Sequence, residues 1–352
     1  MKKRWILLIV LIMSLAFCEC LTACGNNRDE VDAVDKVYEL TLSVHDPKTS
    51  SSVVYIQSWA DKVAEATDGK VKITIYDNAV LSALGDIADN VKAGAVDIGW
   101  MYTPYFTGQF PLSEVISLPM QGFGDPLVST NILWSLTEEY DEIKDEWSDY
   151  KLLMLYGNPG QLLCASDSPI TTKADLAGRV MRCPGGGPIT DFLIQCGASP
   201  VTMDPASLYE AVEKKNINGY IFEPIGICNF SLEEVTNYYT DYTLYDGPFA
   251  LIMNIDKWNS LPEEYQRIIE DLSGKDASIG AAEVYVKDII EKREKIEAAG
   301  GKFVELEPSA ITEMQDIADG IAQDWVAQMS ADGFDAAAYL DDAKMLAEKY
   351  RK

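Results

Sequence analysis

Histidine is nearly absent from this chain: His45 is the only one among 352 residues. A single imidazole removes most arrangements in which a histidine activates a serine or cysteine, and every metal site built on several histidines. Basic residues are also scarce, with 29 Lys and Arg against 56 Asp and Glu and a formal charge of −27. Such a polyanion repels nucleic acid and anionic lipid, so neither is an expected partner. If an anion binds, its attraction must come from a local cation rather than from the overall field. The seven cysteines contain no CxxC pair and no zinc-like spacing. Gly185-Gly186-Gly187 lacks the Gly-Lys-Ser/Thr of a phosphate loop and is not a GxGxxG turn. No carboxylate pair stands out among the many acids. No cofactor and no metal is therefore expected, and an extracellular α/β enzyme is the weaker alternative to a binding protein.

No apolar run reaches the roughly 20 residues of a permanent membrane helix. The one that comes nearest, Trp5 to Phe17, follows Met1-Lys2-Lys3-Arg4 and precedes Leu21-Thr22-Ala23-Cys24. A basic head, a short apolar core and small residues before the cut form the layout of a secretory signal. Its ending resembles the lipobox of bacterial lipoproteins, in which cleavage leaves the cysteine as a lipidated N-terminus; the alternative is an ordinary signal peptide that happens to contain a cysteine. On the lipobox reading residues 1–23 are removed and 24–36 form a lipid-anchored flexible linker. Cys24 then tethers the protein to the outer face of the cytoplasmic membrane, where each buried CH₂ of an acyl chain contributes about 0.8 kcal/mol. Cys164, Cys183, Cys196 and Cys228 could form two disulfides, but buried thiols are the preferred reading in a chain long enough for two cores.

Order begins near Val37. The period-two run Tyr38–Val44 predicts a strand, and Thr49 and Ser50 open a helix that reaches about Thr67. Strands follow at 71–76 and 96–101 with a helix at about 84–92 between them. The alternation recurs: strands at 151–155, 180–183 and 219–222, helices at 189–196 and 208–215 and a helical turn at 173–176. This predicts an α/β protein with largely parallel sheets in two units and a cleft between them. Residues 262–298 read as helix with a break at Gly274, long enough to cross both units. Residues 308–350 read as helical and external.

Six blocks in order carry a family resemblance: HDPKTSS after the first strand, KAGAVDIGW at the third, FPLSEVISLP, SPITTKADLAGRVMRCPGGGP, CGASPVTMDPASLYEAVEKKNINGY and MNIDKWNSLPEEYQRIIE. Together they resemble the DctP-type solute receptors of TRAP (tripartite ATP-independent periplasmic) transporters, across roughly residues 37–330. The resemblance departs at Asn218-Gly219, where the family usually has Asp-Gly, a tolerated exchange at a turn. It implies a two-domain periplasmic-binding-protein-like fold with a long helix crossing both domains. Residues 37–160 with 248–287 would make the first domain, and 161–247 with 288–352 the second. It also implies capture of a small organic acid by cleft closure, and delivery to TRAP membrane permease subunits driven by sodium. An ABC-type binding lipoprotein has the same anchor and a similar cleft.

Arg182 is the leading site candidate. It ends a predicted strand just before the glycine turn, the edge where open α/β sheets bind ligands. Its guanidinium offers a rigid fork that matches a carboxylate, and the resemblance implies that role for it. His45 sits at the equivalent edge of the first unit, as a donor to a second polar group of the ligand or as a loop residue capping the turn. Trp100, Tyr102, Phe222 and Glu223 lie at strand ends and would supply an aromatic wall and one polar acceptor, with core packing as the alternative. Several family members have a polar residue where Phe222 stands, so an aromatic there implies a less polar ligand. Asn158 and Gln161, in the Gly157–Gln161 loop, complete the candidates.

Overall fold

The computed structural model describes residues 36–351. The expected signal segment, the lipid site Cys24 and residues 25–35 of the linker lie outside them. Strand β1 (Tyr38–Ser43) turns Leu40 and Leu42 inward, as its alternation requires. Helix α1 (Ser51–Ala66) starts where the Ser50 side chain accepts from the Val53 amide, and buries Val53, Ile56, Trp59 and Val63 along one face. There follow β2 (Val71–Tyr76), α2 (Ile87–Lys92), β3 (Ile98–Tyr102), α3 (Pro126–Glu139) and β4 (Tyr150–Tyr156). The second sheet's strands come next: β5 (Leu162–Ala165), β6 (Val180–Cys183), α4 (Pro188–Gln195), β7 (Ser199–Thr202), α5 (Leu208–Glu213), β8 (Gly219–Phe222), α6 (Pro224–Asn229) and β9 (Tyr238–Thr240). The chain then returns to the first sheet with β10 (Phe249–Asn254). It ends in α7 (Glu263–Asp271), α8 (Gly274–Ala298), β11 (Lys302–Val304), α9 (Pro308–Ala331) and α10 (Ala336–Tyr350).

Two sheets result, ordered β2-β1-β3-β10-β4 and β11-β9-β5-β8-β6-β7. The sheets are largely parallel, as expected, with one exception in each. β10 runs antiparallel to both β3 and β4, and β5 runs antiparallel to both β8 and β9. Each sheet thus holds one reversed strand in its interior, and both flank the points where the chain crosses between sheets. Antiparallel insertion puts the start of β10 at the same edge as the ends of β3 and β4, with Phe249 opposite Tyr102 and Tyr156.

α8 crosses the molecule as expected. About 37 Å long at 1.5 Å per residue, it packs on α3, α1 and β4 at one end and on α6 and β11 at the other. Its polarity conceals this, because the contacts use small residues such as Ser278, Ala281 and Ala282. The tail is helical, as expected, and consists of two helices. α9 packs on α4 of the second sheet, but α10 packs on α3 of the first, where Tyr339, Leu340 and Ala343 join the core around Ile132 and Leu136. Residues 336–350 therefore pack with the first unit. The four cysteines Cys164, Cys183, Cys196 and Cys228 are buried free thiols.

Candidate ligand-binding site

The C-terminal edges of the parallel strands of both sheets face one another, the position at which open α/β sheets bind ligands. A small cavity there, only about 20 Å³ with the halves together, is walled by residues of both halves. His45, Leu84, Tyr102, Tyr105 and Phe249 come from the first, Arg182, Pro184, Pro205 and Phe222 from the second, and Asn158 and Gln161 from the crossing loop between β4 and β5.

Arg182 is 1% exposed. Its Nε donates to the Met203 carbonyl at 2.9 Å, one terminal nitrogen to the Ile221 carbonyl at 3.1 Å and the other to the Tyr105 hydroxyl at 2.5 Å. Tyr105 Oη in turn donates to the Met203 carbonyl at 3.1 Å. The Phe222 ring lies 5.3 Å from the guanidinium carbon. All three partners are neutral, and among the described residues no carboxylate lies within ion-pair distance of Arg182. A guanidinium has five donors, of which these contacts use three. A buried cation without a counter-charge is costly, and an anion in the cavity would relieve that cost.

His45 stacks on Trp100, with ring centroids 4.5 Å apart and planes 12° from parallel, and faces Phe249 at 6.0 Å. Burial pushes its pKa down to about 3, so the ring is neutral. Its contact with Asp46, Nε2 to Oδ1 at 3.4 Å, is therefore no ion pair at neutral pH. Asp46, raised by burial to about 6, also accepts from Asn229 of α6 at 3.1 Å, a bond that joins the two halves.

Asn158 and Gln161 line the cavity and also fix the crossing. The Asn158 amide donates to Asp246 Oδ1 at 2.8 Å, and Gln161 pairs its backbone with Tyr245 and Leu244 of the returning strand connection. Asp246 is fully buried, and burial raises its pKa to about 8.

Two candidates are placed differently. Glu223 does not line the cavity; both its oxygens accept from the α6 amides of Ile225 and Gly226, at 2.6 and 2.7 Å, as an N-cap. The Glu223-Pro224 pair, a cap residue before a proline at the first helical position, carried that signal. Trp100 stands behind the wall: its indole N–H donates to Tyr156 Oη at 2.7 Å while its face supports His45. Tyr102 and Phe222 are in the wall. Tyr105, Phe249 and the prolines were not singled out, because nothing local marks them; only the apposition of the sheets brings them to the ligand side.

A family model described as bacterial extracellular solute-binding protein, family 7 (DctP) matches residues 43–328. The outer membrane transporter protein TsaT of Comamonas testosteroni is 26% identical over 309 residues, 86% of this chain and 89% of that one. A TRAP solute binding protein from a marine metagenome (an unidentified microbe), specific for aromatic acid ligands and solved with 3-hydroxybenzoate, is 27% identical. It superposes with a TM-score of 0.84, covering 90% of this chain and 100% of its own. A TRAP solute binding protein from Rhodoferax ferrireducens T118, solved with copurified benzoate, is 25% identical with a TM-score of 0.83 over 90% of this chain and 99% of its own.

Proposed function

Because the chain belongs to the bacterial extracellular solute-binding proteins of family 7, the DctP family, we propose that it is a TRAP receptor that captures an aromatic monocarboxylate on Arg182 and hands it to a sodium-driven membrane permease. One observation carries the ligand charge: the Arg182 guanidinium is buried on neutral partners only. The walls argue for the rest. Tyr102, Tyr105, Phe222, Phe249 and His45 present ring surfaces, and the space is too small for an extended oligomer. A sugar acid would leave several hydroxyls facing apolar surface, which costs binding energy. The aromatic acids bound by the marine and Rhodoferax proteins support the same class.

The binding cycle follows from residues that meet across the cleft. With the halves apart, Arg182 meets solvent and attracts the carboxylate despite the negative field of the molecule. Closure brings Tyr105 onto Arg182 and Asp46 onto Asn229, and a ligand that fills the cavity favours this form over the open one. A lipid anchor on Cys24 would keep the receptor beside its permease.

Calorimetric titration with benzoate and related acids tests the reading. Removing one partner of a buried charged pair costs about 2–5 kcal/mol, so Arg182→Ala should weaken binding roughly thirtyfold or more. Retention of affinity within threefold, or stabilisation of the wild type only by neutral or cationic solutes, would remove Arg182 from the mechanism.

A further inference from the structure

His45, which lines the cavity, carries a buried acceptor that none of the described residues satisfies. His45 is held between aromatic rings, with Trp100 at 4.5 Å on one face, so its ring plane is set by packing rather than by a hydrogen bond. Its Nε2 lies 3.4 Å from Asp46 Oδ1. A neutral imidazole carries one proton, and a lone pair turned towards a carboxylate would be repelled. Asp46 is ionised at neutral pH, since its pKa is about 6. The proton therefore sits on Nε2, and Nδ1 is left with a lone pair. That nitrogen is buried, and among the described residues no donor meets it. Buried polar atoms in folded proteins nearly always have a partner. The neighbouring hydroxyls are otherwise engaged: Tyr102 Oη donates to Tyr245 Oη at 3.3 Å, and Tyr105 Oη to the Met203 carbonyl.

We infer that the ligand supplies this donor: the preferred substrate is a hydroxylated aromatic monocarboxylate, its carboxylate on Arg182 and its hydroxyl donating to His45 Nδ1. The inference rests on the receptor reading above and narrows it. It also reverses the polarity expected for His45, from donor to acceptor. A phenolic hydroxyl suits the position because it is a strong, neutral donor. An ammonium group would bring a second cation into a cavity that already holds the guanidinium. A methyl ether has no hydrogen to give and would leave Nδ1 unpartnered.

The test compares benzoate, its three monohydroxy isomers and the corresponding methoxybenzoates by calorimetry on the purified protein. At least one hydroxybenzoate should bind roughly tenfold or more tighter than benzoate and than its own methyl ether, the usual effect of leaving a buried acceptor unpaired. His45→Phe, which keeps the stacked ring, should abolish that preference, so that the best hydroxybenzoate binds the variant no tighter than its own methyl ether does. Because His45 is the only histidine, ¹⁵N-histidine labelling reads the site without reference to any variant. The free protein should show the Nε2–H tautomer, and the best hydroxybenzoate should shift Nδ1 where benzoate does not. Equal binding of hydroxylated, plain and methylated acids, or a preference that survives in His45→Phe, overturns the inference and leaves the receptor reading intact. Failure of every aromatic acid to bind overturns both.

Discussion

Arg182 and Asp246 show how this protein treats buried ionisable groups. The arginine keeps its charge and is held by carbonyls and a hydroxyl that orient the fork without neutralising it. The aspartate takes the opposite course. It is fully buried, accepts the Asn158 amide on Oδ1, and titrates near 8 because burial penalises its anion. The folded state therefore holds a proton that the unfolded chain releases near pH 4. The stability this group contributes is complete below about pH 4 and is lost as pH rises towards 8. Asp246→Asn, which mimics the protonated acid, should accordingly gain on the wild type as pH rises. Urea unfolding at about pH 5 and about pH 8.5 should show the variant's relative stability increasing between the two. A pH-independent difference would mean that Asp246 is ionised in the folded protein.

At the scale of elements, the glycine turn after β6 decides how closely the halves approach. A Cβ on Gly185 would overlap the carbonyl oxygen of Pro104 and lie 3.3 Å from Tyr105 Cα, both on the opposite half. Gly185 is not among the residues with positive φ, so alanine carries no backbone strain there. Gly185→Ala should thus leave the melting temperature of the unliganded protein within about two degrees of wild type and weaken ligand binding roughly tenfold, the usual cost of overpacking. Loss of stability without loss of affinity would contradict this role. The elements themselves were unequally legible. β1, α1 and β2 follow directly from alternation, the Ser50 cap and the Asp68-Gly69 turn. α3 escaped because it is apolar on most of its faces, although Asp125 caps it and Pro126 occupies its first turn. β10 escaped because a strand buried on both sides has no alternation to read: all six of its residues are buried.

For the molecule as a whole, the two crossings and α8 form the connection about which the halves would move. Few polar contacts bridge the cleft, and the Asn229–Asp46 bond at 3.1 Å is among them. Asn229→Ala should reduce ligand affinity about fivefold, near 1 kcal/mol for one hydrogen bond, while leaving the isolated halves intact. Small-angle scattering should show the wild type contracting on addition of ligand and the variant needing a higher ligand concentration to do so. No contraction in either protein would rule out closure as the binding step.

What this sequence determined by itself was mostly local. It placed Arg182 at a strand end before glycines, marked the alternating α/β pattern, and limited the chemistry through a single histidine and an excess of acids. Caps, turns and periodicity act over a few residues, so they can be read in order along the chain. The tertiary structure alone decided which groups meet. Tyr105 reached Arg182 from 77 residues away, and Asn229 reached Asp46 from 183. Glu223 turned to its own helix instead of the ligand, and His45 became an acceptor because Asp46 claimed the side of the ring that carries the proton. These outcomes depend on how two sheets oppose their edges, and on the price of burying charge there. Both are set by contacts between segments far apart in the chain, which no local pattern encodes.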